Sequence, residues 1–123
     1  MVFQLTEAFV ALASINIENL VIFYINLLGK PKSHISNEYA EFQLPGLRLG
    51  IFRPNQTNLQ EFDSAKSRIS LCLEVTDLES AIAHLTSLGY PPPGEIITAS
   101  HGREIYAYDP EGNRIILHQG ARD

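Results

Sequence analysis

An internal repeat of one short structural plan is the feature that most constrains how this chain folds. Each half of the sequence contains an apolar strand, a helix that ends at a glycine, and further strands that close in a hairpin. At an offset of 61 residues, three residues repeat: Leu12, Glu18 and Leu27 fall on Leu73, Glu79 and Leu88. One such unit is too small to close a core alone. The sequence therefore predicts an α+β protein of two βαβββ modules, whose sheets pair into a curved, partly open barrel with helices outside.

The first module is predicted to occupy residues 7–54. Its first strand covers residues 9–14, and its helix begins at Asn16, whose side chain is expected to cap the first turn. The helix ends at Gly29, because glycine tolerates the backbone conformation that terminates a helix. Two alternating strands follow within residues 38–52. Apolar residues recur along the helix at helical spacing, namely Ile17, Leu20, Val21, Tyr24 and Leu28.

The second module is predicted to occupy residues 68–119. A strand at residues 69–75 precedes a helix that Asp77 caps and Gly89 ends. A short strand and a hairpin then follow within residues 95–118, and the hairpin reverses at "DPEGN", a sequence typical of a tight turn. The apolar stripe of this helix consists of Leu78, Ile82, Leu85 and Leu88.

The overall composition excludes several classes of protein. The chain has 123 residues, 45% of them hydrophobic and 19% charged, as in a globular domain. Its net charge of -5 and scattered basic residues argue against a nucleic-acid partner. The single cysteine, Cys72, rules out an intrachain disulfide. No apolar segment approaches the roughly 18 residues of a membrane span, and the start of the chain lacks a signal-peptide pattern, so we expect a cytoplasmic protein with no membrane partner.

Three segments resemble the vicinal oxygen chelate superfamily, which includes glyoxalase I, bleomycin-resistance proteins, fosfomycin-resistance enzymes and extradiol dioxygenases. They are "FVALASINIENLVIFYINLLG", "ISLCLEVTDLESAIAHLTSLGY" and "YAYDPEGNRIIL". The last is the most specific, because a strand, "DPEGN" and a second strand recur in this family at the close of the second module. The resemblance implies a single domain over residues 1–123, with a polar linker at residues 55–67 and a concave cleft lined by the sheets.

Side chains alternate along a strand, so parity divides each predicted sheet into two faces. The consistently apolar set is expected beneath the helices: Val10, Leu12, Leu49, Ile51, Leu71, Leu73, Val75, Ile115 and Leu117. The opposite set is expected to line the cleft: Phe9, Ala11, Arg48, Gly50, Phe52, Ser70, Cys72, Glu74, Tyr106, Tyr108, Arg114, Ile116 and His118. The predicted cleft therefore mixes aromatic and charged side chains.

Metalloenzymes of the superfamily place one ligand near the start of each module's first strand and one on each module's last strand. In this sequence these four standard positions match Phe9, Gly50, Ser70 and Ile116. Three of them have no donor atom, and a neutral serine hydroxyl is a poor ligand. His118 lies two residues from Ile116, which is roughly 6.6 Å along a strand, and Glu74 lies four residues from Ser70, roughly twice as far. The resemblance therefore implies that the standard metal site is absent, and we expect no cofactor.

The leading hypothesis is a metal-free protein that binds a small aromatic or anionic organic molecule in the cleft. Aromatic rings offer flat apolar contact, and arginines can hold an anionic group. The predicted ligand-binding residues are Phe9, Arg48, Phe52, Ser70, Cys72, Glu74, Tyr106, Arg114, Ile116 and His118.

Two alternatives stay open at the level of sequence. The first is an enzyme of the glyoxalase, dioxygenase or thiol-transferase type, with nonstandard metal ligands drawn from His118, Glu74 and Glu41. The second is a degenerate module that serves dimerisation or protein binding. The remaining histidines, His34, His84 and His101, are expected to be solvated or locally bonded. The resemblance also implies a homodimer, with modules paired within one chain or exchanged between chains.

Overall fold

The computed structural model describes residues 2, 4–30, 33–62 and 68–121. The chain divides into two compact units, Met1–Asp63 and Ser64–Asp123. Each unit contains one α-helix and one four-stranded sheet. Neither helix within the described ranges is long and apolar enough to cross a bilayer.

The first unit follows the order strand, helix, strand, strand, strand. Its strands lie in the spatial order β1-β4-β3-β2, with β1 parallel to β4 and the other neighbours antiparallel. A 3₁₀ helix at Gln56–Phe62 follows the last strand, inside the predicted linker, and residues 63–67 of that linker lie outside the described ranges. The elements are β1 (Val10–Ala13), α1 (Ile17–Leu28), β2 (Ser33–Ser36), β3 (Tyr39–Leu44) and β4 (Leu47–Phe52).

The second unit repeats this topology. Its strands lie in the order β5-β8-β7-β6, again with one parallel pair, β5 and β8, and antiparallel neighbours beyond it. The predicted α+β class with two βαβββ modules is confirmed. The elements are β5 (Leu71–Glu74), α2 (Leu78–Ser87), β6 (Ile97–Ala99), β7 (Gly102–Tyr108) and β8 (Arg114–Gly120).

In each unit the helix covers one face of the sheet, and this face is the apolar one. Helix α1 contacts β4, and α2 contacts β8. The parity predicted from the sequence holds for five of the nine apolar positions, which are buried: Leu49, Ile51, Leu71, Ile115 and Leu117. The other four are half-buried, namely Val10, Leu12, Leu73 and Val75. Among the described residues, four further apolar strand residues are buried: Ala40, Phe42, Ile105 and Ala107. The opposite face of each sheet, called here the uncovered face, carries the predicted site residues.

The helix ends differ in how they are stabilised. Asp77 caps α2 as predicted, since its Oδ1 accepts a hydrogen bond from Ser80 N at 3.1 Å. The same prediction was wrong for Asn16, whose side chain makes no capping hydrogen bond within the part of the chain that the structure describes. Its backbone N–H instead donates to Ser14 Oγ at 3.1 Å. Gly29 follows α1 with a φ of 100°, a conformation that favours glycine.

Candidate functional site

The uncovered face of the first sheet is ordered in rows by strand register. Glu41 on β3 is the partner of Gly50 on β4, and Tyr39 is the partner of Phe52. Arg48 lies one step further along β4, near Phe9, which directly precedes β1. The first sheet therefore brings the predicted residues Phe9, Arg48 and Phe52 onto one face.

Arg48 is held by three neighbours on this face. Its guanidinium carbon lies 4.3 Å from the centre of the Phe9 ring, a cation–π contact. It forms an ion pair with Glu7. Its Nε lies 3.3 Å from Glu41 Oε1, an ion pair without the alignment of a hydrogen bond. Two carboxylates thus balance the charge of Arg48 before any ligand binds, which weakens the prediction that Arg48 holds an anion.

Tyr39 joins this cluster and covers the position of Gly50. Its hydroxyl donates a hydrogen bond of 3.0 Å to Glu41 Oε2. Burial raises the pKa of the Tyr39 phenol above its ordinary value, and the hydrogen bond to Glu41 raises that pKa further. A Cβ atom at Gly50 would lie 3.0 Å from the Tyr39 hydroxyl oxygen. A longer side chain at this position therefore requires the tyrosine to move.

Phe52 is partly covered by an aromatic residue from the predicted linker. The rings of Phe52 and Phe62 meet edge to face, with centroids 5.2 Å apart. Phe62 belongs to the 3₁₀ helix that follows β4, and 48% of its surface is exposed. The linker thus contributes apolar surface next to the uncovered face of the first sheet.

The uncovered face of the second sheet contains three rows. Cys72, Ile116 and Tyr106 form the middle row, on β5, β8 and β7. On one side of it, Tyr108 is the register partner of Arg114, whose Nε donates to Ser70 Oγ at 2.7 Å. The third row, on the other side, holds Glu74, His118 and Glu104. All seven predicted residues of this module therefore lie on, or at the edge of, one face.

The third row is bound together by charged side chains. Glu74 Oε1 lies 2.6 Å from His118 Nδ1, and Glu74 Oε2 accepts a hydrogen bond of 2.6 Å from Gly120 N. The contact with His118 has the larger effect on the pKa of the Glu74 carboxyl, and the two contacts together hold that pKa below its ordinary value. The His118 ring is stacked on that of His101, with centroids 5.4 Å apart, and His101 Nε2 lies 3.6 Å from Glu104 Oε1.

Comparison with known proteins identifies the fold. No protein-family model matches the chain, and no curated protein sequence matches it. Among solved structures, the chain is similar to a glyoxalase/bleomycin resistance protein from Catenulispora acidiphila, at 20% identity and a TM-score of 0.68, covering 93% of this chain and 97% of that chain. It is also similar to a glyoxalase/bleomycin resistance protein/dioxygenase from Nocardioides, at 19% identity and a TM-score of 0.74, with 99% and 87% covered. The chain has the vicinal oxygen chelate fold.

Another structure with this fold is the fosfomycin resistance protein FosX from Listeria monocytogenes, in complex with Mn(II) and sulfate. It is 19% identical to this chain, with a TM-score of 0.73, and the similarity covers 98% of this chain and 93% of that chain. The vicinal oxygen chelate fold is therefore shared with both enzymes and resistance proteins.

The residues at the four positions that the resemblance assigns to metal ligands do not fit a metal ion. Phe9 offers a ring that Arg48 covers, and the Gly50 backbone is covered by Tyr39. The Ser70 hydroxyl accepts a hydrogen bond from Arg114, and Ile116 offers only hydrocarbon. A divalent transition metal needs nitrogen, thiolate or carboxylate donors. No chemical step is therefore assigned to a metal at these positions.

Sequence reasoning missed four residues that contact the predicted ones. Glu7 and Tyr39 belong to the Arg48 cluster, and His101 and Glu104 belong to the third row of the second sheet. Tyr39 and Glu104 share the strand parity of predicted residues, so alternation along β3 and β7 contains a signal for both. Glu7 and His101 precede their strands and carry no such signal.

Proposed function

We propose that this protein binds a flat, neutral aromatic molecule on the uncovered face of one of its two sheets, without a metal at the four standard positions. One observation carries the proposal. Large aromatic side chains are exposed on the uncovered faces, with exposed fractions of 49% for Phe9, 40% for Tyr106 and 36% for Tyr108. Exposed aromatic surface that is grouped with polar side chains is typical of a ligand site.

The chemistry of the second sheet suits an aromatic ligand. Tyr106 and Tyr108 lie two residues apart on β7, so both point to the same face with a spacing of roughly 7 Å. Ile116 and Cys72 continue the Tyr106 row with apolar surface. A planar ring lying along this row gains dispersion contact with several side chains, and the tyrosine hydroxyls supply hydrogen bonds at its edge.

Charge on the uncovered faces favours a neutral ligand over an anionic one. Arg48 is already balanced by Glu7 and Glu41. In the second sheet, Glu74 and Glu104 add negative charge to the same face that carries Arg114. An anionic ligand would be repelled by these carboxylates. Of the two classes predicted from sequence, aromatic and anionic, the proposal therefore keeps the aromatic one.

The structural neighbours support a small-molecule role in general terms. Two of them are described as glyoxalase/bleomycin resistance proteins and one as a fosfomycin resistance protein. Their names refer to bleomycin and fosfomycin, which are both organic molecules. An enzymatic role is the second candidate, and the observation that favours it is the cluster of His101, Glu104 and His118 on the second sheet.

The test is a stabilisation screen on tag-free protein stripped of metal with a chelator. Matched pairs separate the alternatives: 2-naphthol against its saturated analogue decahydro-2-naphthol, and benzoate against cyclohexanecarboxylate. We expect the neutral aromatic compound to raise Tm more than its saturated partner and more than benzoate. Stabilisation by the saturated compounds alone, or by benzoate and not by 2-naphthol, would contradict the proposal. Stabilisation that appears only after metal is added would favour the enzymatic candidate.

A variant localises the binding. Tyr106→Leu keeps apolar volume and removes the ring, so binding of the aromatic compound is expected to weaken about 3- to 10-fold by calorimetry. Ile22→Ala serves as the control, because Ile22 is 56% exposed on α1, outside the uncovered faces. Equal effects of the two substitutions would show that the ligand binds elsewhere.

A further inference from the structure

Three side chains of the second unit lie close enough together to share one metal ion. His101 directly precedes β7, Glu104 lies on β7 and His118 lies on β8. Each offers one ligand atom, and these atoms all lie within 4.8 Å of one another. Two imidazole nitrogens and one carboxylate oxygen form a donor set that suits divalent first-row transition metals and leaves coordination positions open.

The hairpin fixes two of the three donors. Glu104 and His118 are register partners on the antiparallel strands β7 and β8, so their side chains stand side by side on the uncovered face. His101 lies in the short turn between β6 and β7, at the open end of this hairpin, where Ala121 N donates to His101 O at 3.2 Å. The stacking of the His101 and His118 rings, tilted by only 7°, shows the outcome of this placement.

Glu74 prepares His118 to bind through its other nitrogen. The Glu74 carboxylate contacts His118 Nδ1 at 2.6 Å and is itself held by Gly120 N. Because a carboxylate only accepts hydrogen bonds, this contact places a hydrogen on Nδ1, and the lone pair of the neutral imidazole is then on Nε2. A carboxylate behind a metal-binding histidine is the usual outer partner of such a ligand.

The Nε2 atom of His118 gives independent support for a metal ion at this cluster. It is buried, and it has no hydrogen-bond partner among the residues that the structure describes. Buried polar atoms are nearly always paired, so an unpaired nitrogen on an imidazole that clusters with His101 and Glu104 points to a missing partner. A metal ion would satisfy this atom and compensate the negative charge of Glu104 and Glu74.

We propose that His101, Glu104 and His118 bind one divalent first-row transition-metal ion, with Glu74 as the outer carboxylate that orients His118. This site differs from the standard one, because Ile116 at the standard position lies two residues from His118 on β8, roughly 6.6 Å away. It also goes beyond the proposed function and does not depend on it, since the organic ligand is assigned to the neighbouring Tyr106 row.

The test is calorimetric titration of Zn²⁺ into the full-length, tag-free protein after chelator treatment. We expect one Zn²⁺ per chain. His101→Ala and Glu104→Gln are both expected to abolish stoichiometric binding, because each removes one of only three protein ligands. Glu74→Gln leaves all three ligands and is expected to weaken Zn²⁺ binding 10- to 100-fold, the usual effect of losing an outer partner.

The matched control is His84→Ala, which removes an exposed histidine of α2 and is expected to leave Zn²⁺ binding unchanged. Far-ultraviolet circular dichroism confirms that each variant is folded. Co²⁺ gives a second readout, since its visible bands should appear with the wild-type protein and vanish with His101→Ala. Absence of stoichiometric Zn²⁺ binding would overturn the proposal, and so would binding that survives both His101→Ala and Glu104→Gln. A separate titration of 2-naphthol in excess chelator tests the proposed aromatic ligand without metal, so failure of the metal site and failure of the proposed function can be told apart.

Discussion

At the scale of single residues, Asp109 explains why the turn sequence "DPEGN" was so informative. Its side chain is 3% exposed, and Oδ1 accepts hydrogen bonds of 2.9 Å from both Glu111 N and Asn113 N. Oδ2 accepts from Asn113 Nδ2 at 2.8 Å. A local carboxylate that binds its own turn leaves a signature in the sequence, so this hairpin was predictable.

Gly102 is the opposite case, because its role depends on a neighbouring strand. Its φ is +136°, and a Cβ atom there would lie 2.3 Å from Gln119 O on β8. We expect Gly102→Ala to lower the free energy of unfolding by about 3 kcal/mol, since backbone strain adds to the steric clash. Urea denaturation measures this.

Gly94→Ala is the matched control, because no atom lies within 4 Å of a Cβ at that position. Its effect is expected to stay within about 0.5 kcal/mol. A loss from Gly102→Ala no larger than that from Gly94→Ala would show that β7 and β8 do not approach as closely as described.

At the scale of elements, an ionic cluster joins the start of α2 to β7 and β8. Arg103 donates to both carboxylate oxygens of Glu79, at 2.6 and 2.8 Å. It also donates to Gln119 Oε1 at 3.2 Å, and that oxygen accepts from Leu78 N at 2.8 Å. The hydrogen bonds from Arg103 lower the pKa of Glu79 from 4.5 to about 2.

This pKa shift predicts a pH dependence of stability. A depressed pKa means that the unfolded state binds the proton first, so the contribution of Glu79 is fully present above about pH 4.5 and is lost as pH falls through about 2. We expect the difference in unfolding free energy between wild type and Glu79→Gln to be constant near neutral pH and to shrink below pH 4.5. Urea titrations at several pH values measure it, and a difference that grows on acidification would contradict the Arg103 pairing. High salt should reduce the difference, because the pair is exposed.

Most elements were predictable from periodicity, and the exceptions have physical reasons. Both helices show an apolar stripe at helical spacing, and β4 alternates clearly. The strand β2, Ser33–Ser36, has the polar sequence SHIS and was not recognised, because its pairing with β3 is set by tertiary structure. The side chain of His34 in that strand lies outside the described part of the structure. The capping of α1 by Asn16 was predicted wrongly, and the backbone of Asn16, at φ -116° and ψ 66°, departs from the extended conformation typical of an N-cap.

The candidate site was predictable only in part, because rows across a sheet depend on register. Parity along β8 indicated which side chains share a face. It could not show that Glu104 lies opposite His118, or that Tyr39 covers Gly50. His101 was expected to be solvated or locally bonded, and its stacking on His118 is a local contact of that kind. Its position within the proposed metal site was not foreseen.

At the scale of the whole molecule, the homodimer stays a prediction that rests on the resemblance. Light scattering coupled to gel filtration measures the mass in solution, and we expect twice the 13.7 kDa of one chain. A monomeric mass at the concentrations used for ligand titration would contradict the prediction. If the protein is a dimer and 2-naphthol does not bind to it, the result would favour the alternative of a degenerate module that serves dimerisation.

The most direct measurement is a set of intermolecular NMR contacts between 2-naphthol and side-chain protons of the protein, recorded in excess chelator. We predict contacts from the ligand to the rings of Tyr106, Tyr108 or Phe9, the exposed aromatic residues of the uncovered faces. Such contacts in the absence of metal would support a metal-independent aromatic site at the proposed residues. Failure of 2-naphthol to bind under these conditions, or contacts confined to α1 residues such as Ile22, would contradict the proposed function.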